Sequence, residues 1–143
     1  MNASRAVFAG VLGTVAMTAL FLLEPLVGQP TMAEGGILST VMSATVAHLP
    51  VGVVGGWAVH FAVGIALALV YAAIARGRLP GAPAVRGAMY GAVVFLFAQL
   101  VVMPLVGGGI FSNGDAGRLI GSLAGHLLYG AVVGVVVGRG VPT

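Results

Sequence analysis

Charge is scarce in this sequence. Only 6% of its 143 residues are charged, against roughly 25% in an ordinary soluble domain, and lysine is missing altogether. So little charge excludes a soluble catalytic or nucleic-acid-binding domain, because such domains need a hydrated polar surface. The pI of about 10.2 therefore reflects a few arginines rather than an affinity for nucleic acid.

Cysteine is also missing, which excludes disulfides, thiolate metal sites and thiol catalysis. The sequence shows neither a serine, histidine and acid set nor a pair of neighbouring carboxylates. Its glycines lie within apolar segments and not after a strand, so they do not form a phosphate-binding loop. We therefore expect a protein that is not an enzyme.

Apolar residues are abundant, at 59% of the chain, with a mean hydropathy of +1.14. A bilayer core about 30 Å thick requires about 20 apolar residues per helix. The segments that satisfy this requirement are roughly 6–27, 51–75, 87–106 and 119–137. We predict an all-α bundle of four transmembrane helices that forms a single transmembrane domain over residues 1–143.

The arginines predict how this bundle is oriented. Those expected on one side of the membrane are Arg5, Arg76, Arg78, Arg86 and Arg139. The other side has Arg118 and all three acidic residues. Since cytoplasmic loops are enriched in basic residues, we expect both termini in the cytoplasm and the protein in the cell (inner) membrane. The first apolar segment is too long for a secretory signal and is expected to be retained.

The sequence contains an internal repeat. Residues 24–28 read EPLVG and residues 103–107 read MPLVG, and each is followed by an apolar segment in which a histidine precedes a glycine by four residues. The repeat predicts two parallel helical hairpins, at about 5–76 and 87–139, with a cytoplasmic joint at 77–86. Parallel repeats of this kind are related by an axis along the membrane normal.

An insertion at residues 31–49 distinguishes the first half from the second. Thr31 and Glu34 have the spacing of a capping box, which satisfies the free amides at a helix start. Apolar residues then recur at helical spacing up to Leu49. This pattern predicts a short extra helix on the outer face of the membrane.

His60 and His126 are the candidate ligand-binding residues, because an ionisable group in a membrane helix usually faces the bundle interior, a partner or a ligand. Small residues lie one turn before and after each histidine, namely Gly56, Gly64, Ser122 and Gly130. Two interpretations follow: the small residues leave room for a tetrapyrrole with the histidines as axial ligands of haem b or a chlorin, or they allow close helix packing. The two exclude each other if these residues join the second and fourth helices directly, because no macrocycle then fits between the helices. Two histidines without cysteine or an acid leave the shell of a zinc site incomplete. A copper site would need soft ligands from Met17, Met89 or Met103, which are expected to be packing residues.

A few other polar and aromatic residues lie in the apolar segments. Gln99 is expected to make an interhelical hydrogen bond. Thr14 and Thr18 are expected to return their hydroxyls to their own helix. The candidate interfacial anchors are Trp57, Tyr71 and Tyr90. Tyr129 is a candidate for a hydrogen bond near His126.

The chain resembles a family of uncharacterised small bacterial four-helix membrane proteins. The segments that carry the resemblance are 10–25 (GVLGTVAMTALFLLEP), 56–72 (GWAVHFAVGIALALVYA), 101–107 (VVMPLVG) and 125–130 (GHLLYG). The resemblance implies the membrane bundle and brings no activity or ligand.

Three functions remain open from the sequence. The first is a non-enzymatic subunit or scaffold of a membrane assembly, whose partners are the lipid bilayer and the helices of other subunits or of a second copy. The second is an electron-transfer or pigment protein that holds haem b or a chlorin on His60 and His126. The third is a small-solute or proton-coupled transporter, which the shortage of intramembrane charge disfavours.

Overall fold

The computed structural model describes residues 2–23, 45–46, 49–50, 52–105 and 107–138. Long apolar helices dominate this part of the chain, which confirms the prediction of an all-α protein. The helices are α1 (Ala3–Leu23), α2 (Gly52–Val70), α3 (Pro83–Phe97) and α4 (Ala116–Gly138). With the turns that continue α2 and α3, all four are long and apolar enough to cross a membrane.

A π-helical turn continues each of the two middle helices. α2 runs on through Tyr71–Ala75, and α3 runs on through Ala98–Val102 into a helical turn at Met103–Leu105. Pro104 explains the second π turn, because proline has no N–H and its ring clashes with the carbonyl four residues earlier. The wider turn lets α3 continue past the proline to the membrane surface.

α3 begins at Pro83, four residues before the predicted start of the third segment at residue 87. Proline suits the first position of a helix, where its missing N–H would be unpaired and its fixed φ is already helical. Ala82 precedes it in an extended conformation with φ −66° and ψ 157°, as the residue before proline prefers.

The connection between α3 and α4 is a compact loop with a 3₁₀ segment at Ile110–Gly114. Within it, Phe111, Ser112 and Asn113 have left-handed φ values of 47°, 51° and 54°. Asp115 then caps α4, because its carboxylate accepts a hydrogen bond of 3.0 Å from the Arg118 N–H. The connection between the two helices is therefore tightly wound.

The predicted outer-face helix is wrong at its C-terminal end. Two short strands, β1 (Thr45–Val46) and β2 (Leu49–Pro50), pair in antiparallel fashion there. β-branched side chains favour strands, and the residue before a proline is biased to extended conformation. The rest of the predicted helix, 31–44, lies outside the described residues, as does Pro25.

The helices are packed in the order α2, α1, α4, α3, with α4 against both α1 and α3. Glycines bring the backbones together at two of the three interfaces. Gly64 of α2 packs on Gly10 and Thr14 of α1, and Gly130 of α4 packs on Gly87 of α3. In both hairpins the glycine four residues after the histidine thus lies against the preceding helix, as a duplication predicts. The duplication itself stays a prediction.

The apolar core lies at the end of the bundle where α2 connects to α3. Tyr71 and Tyr90 are 0% and 8% exposed there, and their ring centroids lie 5.3 Å apart with the ring planes tilted by 53°. The Tyr90 hydroxyl donates to the Leu67 carbonyl at 2.9 Å, which ties α3 to α2. The prediction that these tyrosines are interfacial anchors is therefore wrong, because both are buried inside the bundle, and Tyr90 has a hydrogen-bond partner there.

Candidate functional site

A cavity of about 140 Å³ lies beyond this core, where α2 and α3 no longer pack against each other. Both candidate histidines line it, His60 from α2 and His126 from α4. The other lining residues are predominantly apolar and include Met17, Phe21, Val63, Leu67, Val94 and Phe97. The fold therefore brings the two histidines to one apolar space within the membrane-spanning region.

The tautomer of His126 follows from its hydrogen bond. Its Nδ1 lies 2.7 Å from the Ser122 carbonyl oxygen. A carbonyl only accepts, so Nδ1 carries the proton and donates it, and the other nitrogen of the neutral ring has a free lone pair. Nε2 has no hydrogen-bond partner among the described residues. Because the ring lines the cavity, His126 offers a hydrogen-bond acceptor to whatever occupies it.

His60 is held from the neighbouring helix. Its Nε2 lies 3.1 Å from the Thr18 hydroxyl of α1, and its ring is flanked edge-on by Trp57 and Phe61, each with a centroid separation of 6.0 Å. The hydrogen bond uses one ring nitrogen and orients the other. Thr18 was expected to bond its own helix, as Thr14 does through the Gly10 carbonyl, so that expectation is wrong for Thr18.

A buried chain of polar side chains supports His126 from the α3–α4 loop. Ser112 donates to the Gln99 carbonyl oxygen, and the Gln99 amide donates to the Ser122 hydroxyl, both at 3.1 Å. The interhelical hydrogen bond predicted for Gln99 is thus confirmed. An amide does not pass protons on as a hydroxyl does, so the chain positions the helices rather than conducting protons.

The small residues beside the histidines do not all provide the predicted space. Gly130 is covered by the Gly87 carbonyl of α3, and the Ser122 hydroxyl is engaged by Gln99. Gly64 lines the cavity, but its carbonyl accepts the Tyr129 hydroxyl at 2.6 Å. Gly56 is buried. Tyr129 therefore joins α4 to α2 and does not bond His126.

The roles of two residues at the site were not predicted from the sequence. Thr18 was detectable in principle, because counting outward along α1 and inward along α2 places it near the depth of His60. Ser112 gave no signal, since a serine in a glycine-rich loop is ordinary turn chemistry. Its burial depends on the left-handed backbone that turns its hydroxyl toward Gln99.

The site does not fit a tetrapyrrole in this arrangement. A cavity of about 150 Å³ holds a molecule the size of benzene, and the cavity here is about 140 Å³. The residues one turn before and after His126 are in contact with the third helical segment: the Gln99 side chain bonds Ser122, and the Gly87 backbone covers Gly130. Within the described residues, moreover, no group of three His, Cys, Asp or Glu side chains is placed to hold a metal ion.

Protein produced with ample haem supply and purified in detergent is expected to show no Soret band, because the helices would have to separate to admit a macrocycle. An absorption spectrum before and after dithionite checks this. A stoichiometric band lost in both His60→Ala and His126→Ala would contradict the size argument.

The fold and the composition define the class of this protein as a small polytopic helical membrane protein. The chain belongs to the family of unknown function DUF6789, which it matches over residues 1–142. Membership agrees with the resemblance drawn from the sequence. Comparisons with curated proteins and with solved structures give no match.

Proposed function

We propose that this chain is a non-enzymatic membrane protein that binds a small, mostly apolar molecule carrying a hydrogen-bond donor. The observation that carries the proposal is that His60 and His126 line one otherwise apolar cavity. Binding sites for small molecules typically combine an apolar lining with a few placed polar groups. Nε2 of His126, which has no hydrogen-bond partner in the described part of the chain, is such a group.

The size of the cavity limits the ligand. At about 140 Å³ it accommodates a single ring, comparable to the benzene held by an engineered cavity of about 150 Å³. The other polar groups in the lining are already engaged, since Thr14 bonds the Gly10 carbonyl and Tyr129 bonds the Gly64 carbonyl. A ligand therefore gains its polar contacts from the histidines.

The orientation of the bundle is part of the proposal. Arg5, Arg76, Arg78 and Arg86 lie at the end where α2 connects to α3, and Asp115 and Arg118 lie at the other end. Because cytoplasmic loops have an excess of basic residues, the first end faces the cytoplasm. The protein then lies in the inner membrane of a bacterium. The cavity then lies between the core and the outer surface, and a subunit in a larger membrane assembly could present a ligand there.

Fluorine NMR of the protein in lipid nanodiscs tests the binding. para-Fluorophenol has a ring and a donor, whereas para-fluorotoluene has the ring alone. We expect saturable binding of the phenol that Ala98→Leu weakens by at least about fivefold, because overpacking the buried cavity costs about 1 kcal/mol or more. His126→Phe should weaken binding of the phenol and leave binding of the toluene nearly unchanged, because the His126 acceptor is gone.

Ala66→Leu is the matched control, since Ala66 is exposed on α2 and does not line the cavity. It should leave phenol binding unchanged, and circular dichroism should show the same helix content in all variants. Equal binding of the two probes to wild-type protein, or equal effects of the two leucine substitutions, would refute the proposal.

A further inference from the structure

The cavity is open on one side, between α2 and α3. Val63 and Phe97, which line it from these two helices, are 51% and 56% exposed. At the other end the Tyr90–Leu67 hydrogen bond and the contact between the Tyr71 and Tyr90 rings close the gap. In a membrane-spanning bundle such an opening faces the hydrocarbon of the bilayer. A ligand longer than one ring can therefore extend into lipid past Val63 and Phe97.

The walls favour a flat ring over an aliphatic chain. Phe21 and Tyr129 line the cavity from α1 and α4, and Phe97 lines it at the opening. Aromatic pairs in offset or edge-on contact gain attraction beyond the area they bury. The Phe95 ring already packs edge-on against the His126 ring, at a centroid separation of 5.9 Å, so His126 is held in one orientation toward the cavity.

The two histidines approach the cavity from different helices, α2 and α4. His126 requires a donor from the ligand, because its Nδ1 is committed to the Ser122 carbonyl. His60 retains one ring nitrogen beyond the one bonded to Thr18. A ring with hydroxyls on opposite sides can hydrogen-bond to both histidines at once, whereas a lipid with a single terminal hydroxyl can hydrogen-bond to only one.

Resting on the proposed function, we infer that the ligand is a hydroxylated aromatic lipid of the hydroquinone class. Its ring lies between His60 and His126, and its long apolar tail leaves the bundle between Val63 and Phe97. The ligand enters from the bilayer, and its tail remains in the hydrocarbon of the bilayer. The inference concerns binding, and it assigns no electron transfer to the chain.

A prenylated hydroquinone with a photoreactive diazirine near the start of its tail tests this geometry on wild-type protein in nanodiscs. Irradiation and peptide mapping should place the adducts on α2 and α3 around Val63 and Phe97. para-Fluorophenol at about ten times its Kd should lower their yield about tenfold by mass action. The dimethyl ether of the same probe, which has no donor, should give no adduct that the phenol suppresses.

The outcomes separate the two proposals. Adducts scattered over the lipid-facing sides of α1 and α4 and insensitive to para-fluorophenol, while that phenol still binds, would overturn the lipid hydroquinone and leave the proposed cavity ligand intact. A dimethyl ether that labels as well as the hydroquinone, with competition, would also overturn it. Failure of para-fluorophenol to bind would remove both.

Discussion

Gly130→Ala is expected to lower the free energy of unfolding by about 3 kcal/mol, the upper part of the range for overpacking. A Cβ at this position would overlap the Gly87 carbonyl and approach the Gly91 Cα at 2.9 Å. Both are backbone atoms, so they cannot move aside as a flexible side chain can. α3 and α4 must separate, and contacts between small residues are what hold helices together in lipid.

Reversible unfolding of the purified protein in mixed micelles measures this loss. Gly77→Ala is the control, because a Cβ on Gly77 meets nothing within 4 Å, and it should be neutral or stabilise by about 0.5 kcal/mol. Gly87→Ala breaks the same interface from the other side, so the double substitution should cost clearly less than the sum of the two. A Gly130→Ala variant as stable as wild type would show that α3 and α4 do not meet through their backbones.

Gln99→Leu is expected to cost about 2 kcal/mol, because it leaves two buried hydroxyls without partners in a medium that offers none. Gln99 is 0% exposed and accepts from Ser112 while donating to Ser122. Leucine keeps the approximate volume and removes both hydrogen bonds. The same unfolding measurement applies, and hydrogen exchange of the Ile110–Gly114 loop should accelerate, because the loop loses its attachment to α3.

Ser112→Ala is the matched comparison, since it removes one bond of the chain and should cost about 1 kcal/mol. A double-mutant cycle between the two positions should then show a coupling of at least about 0.5 kcal/mol. A loss for Gln99→Leu below about 0.6 kcal/mol, the mean for an interhelical hydrogen bond in a membrane, would contradict a connected chain from Ser112 to Ser122.

The helices were predictable because the bilayer imposes their length and leaves the chain no other way to satisfy its backbone. The predicted segments 51–75 and 119–137 agree with the observed helices to within a few residues. The errors concern shorter-range effects. α3 begins at Pro83, earlier than predicted. Residues 45–46 and 49–50 form strands, as their β-branched and proline residues favour, and not the helix that the apolar spacing predicted.

The histidines were identifiable as candidates because ionisable groups are rare in membrane helices. The helix that packs beside each histidine was not identifiable from the sequence. The sequence left two interpretations of the neighbouring small residues, and the packing order resolves the conflict between them. Gly64 meets α1 and Gly130 meets α3, so α2 and α4 do not close directly on each other through these residues.

Composition and segment length were enough to predict a four-helix membrane protein with His60 and His126 as its unusual intramembrane groups, since neither depends on a contact between distant residues. The surroundings of the two histidines depend on how the helices pack. Helix packing in lipid depends on which glycine contacts which backbone. In this bundle the packing places both histidines beside one cavity. Thr18 bonds His60, and the chain from Ser112 through Gln99 to Ser122 supports His126. Helix packing also limits the cavity to about 140 Å³, room for one ring, because α2 and α3 are joined at Tyr90 and diverge beyond it.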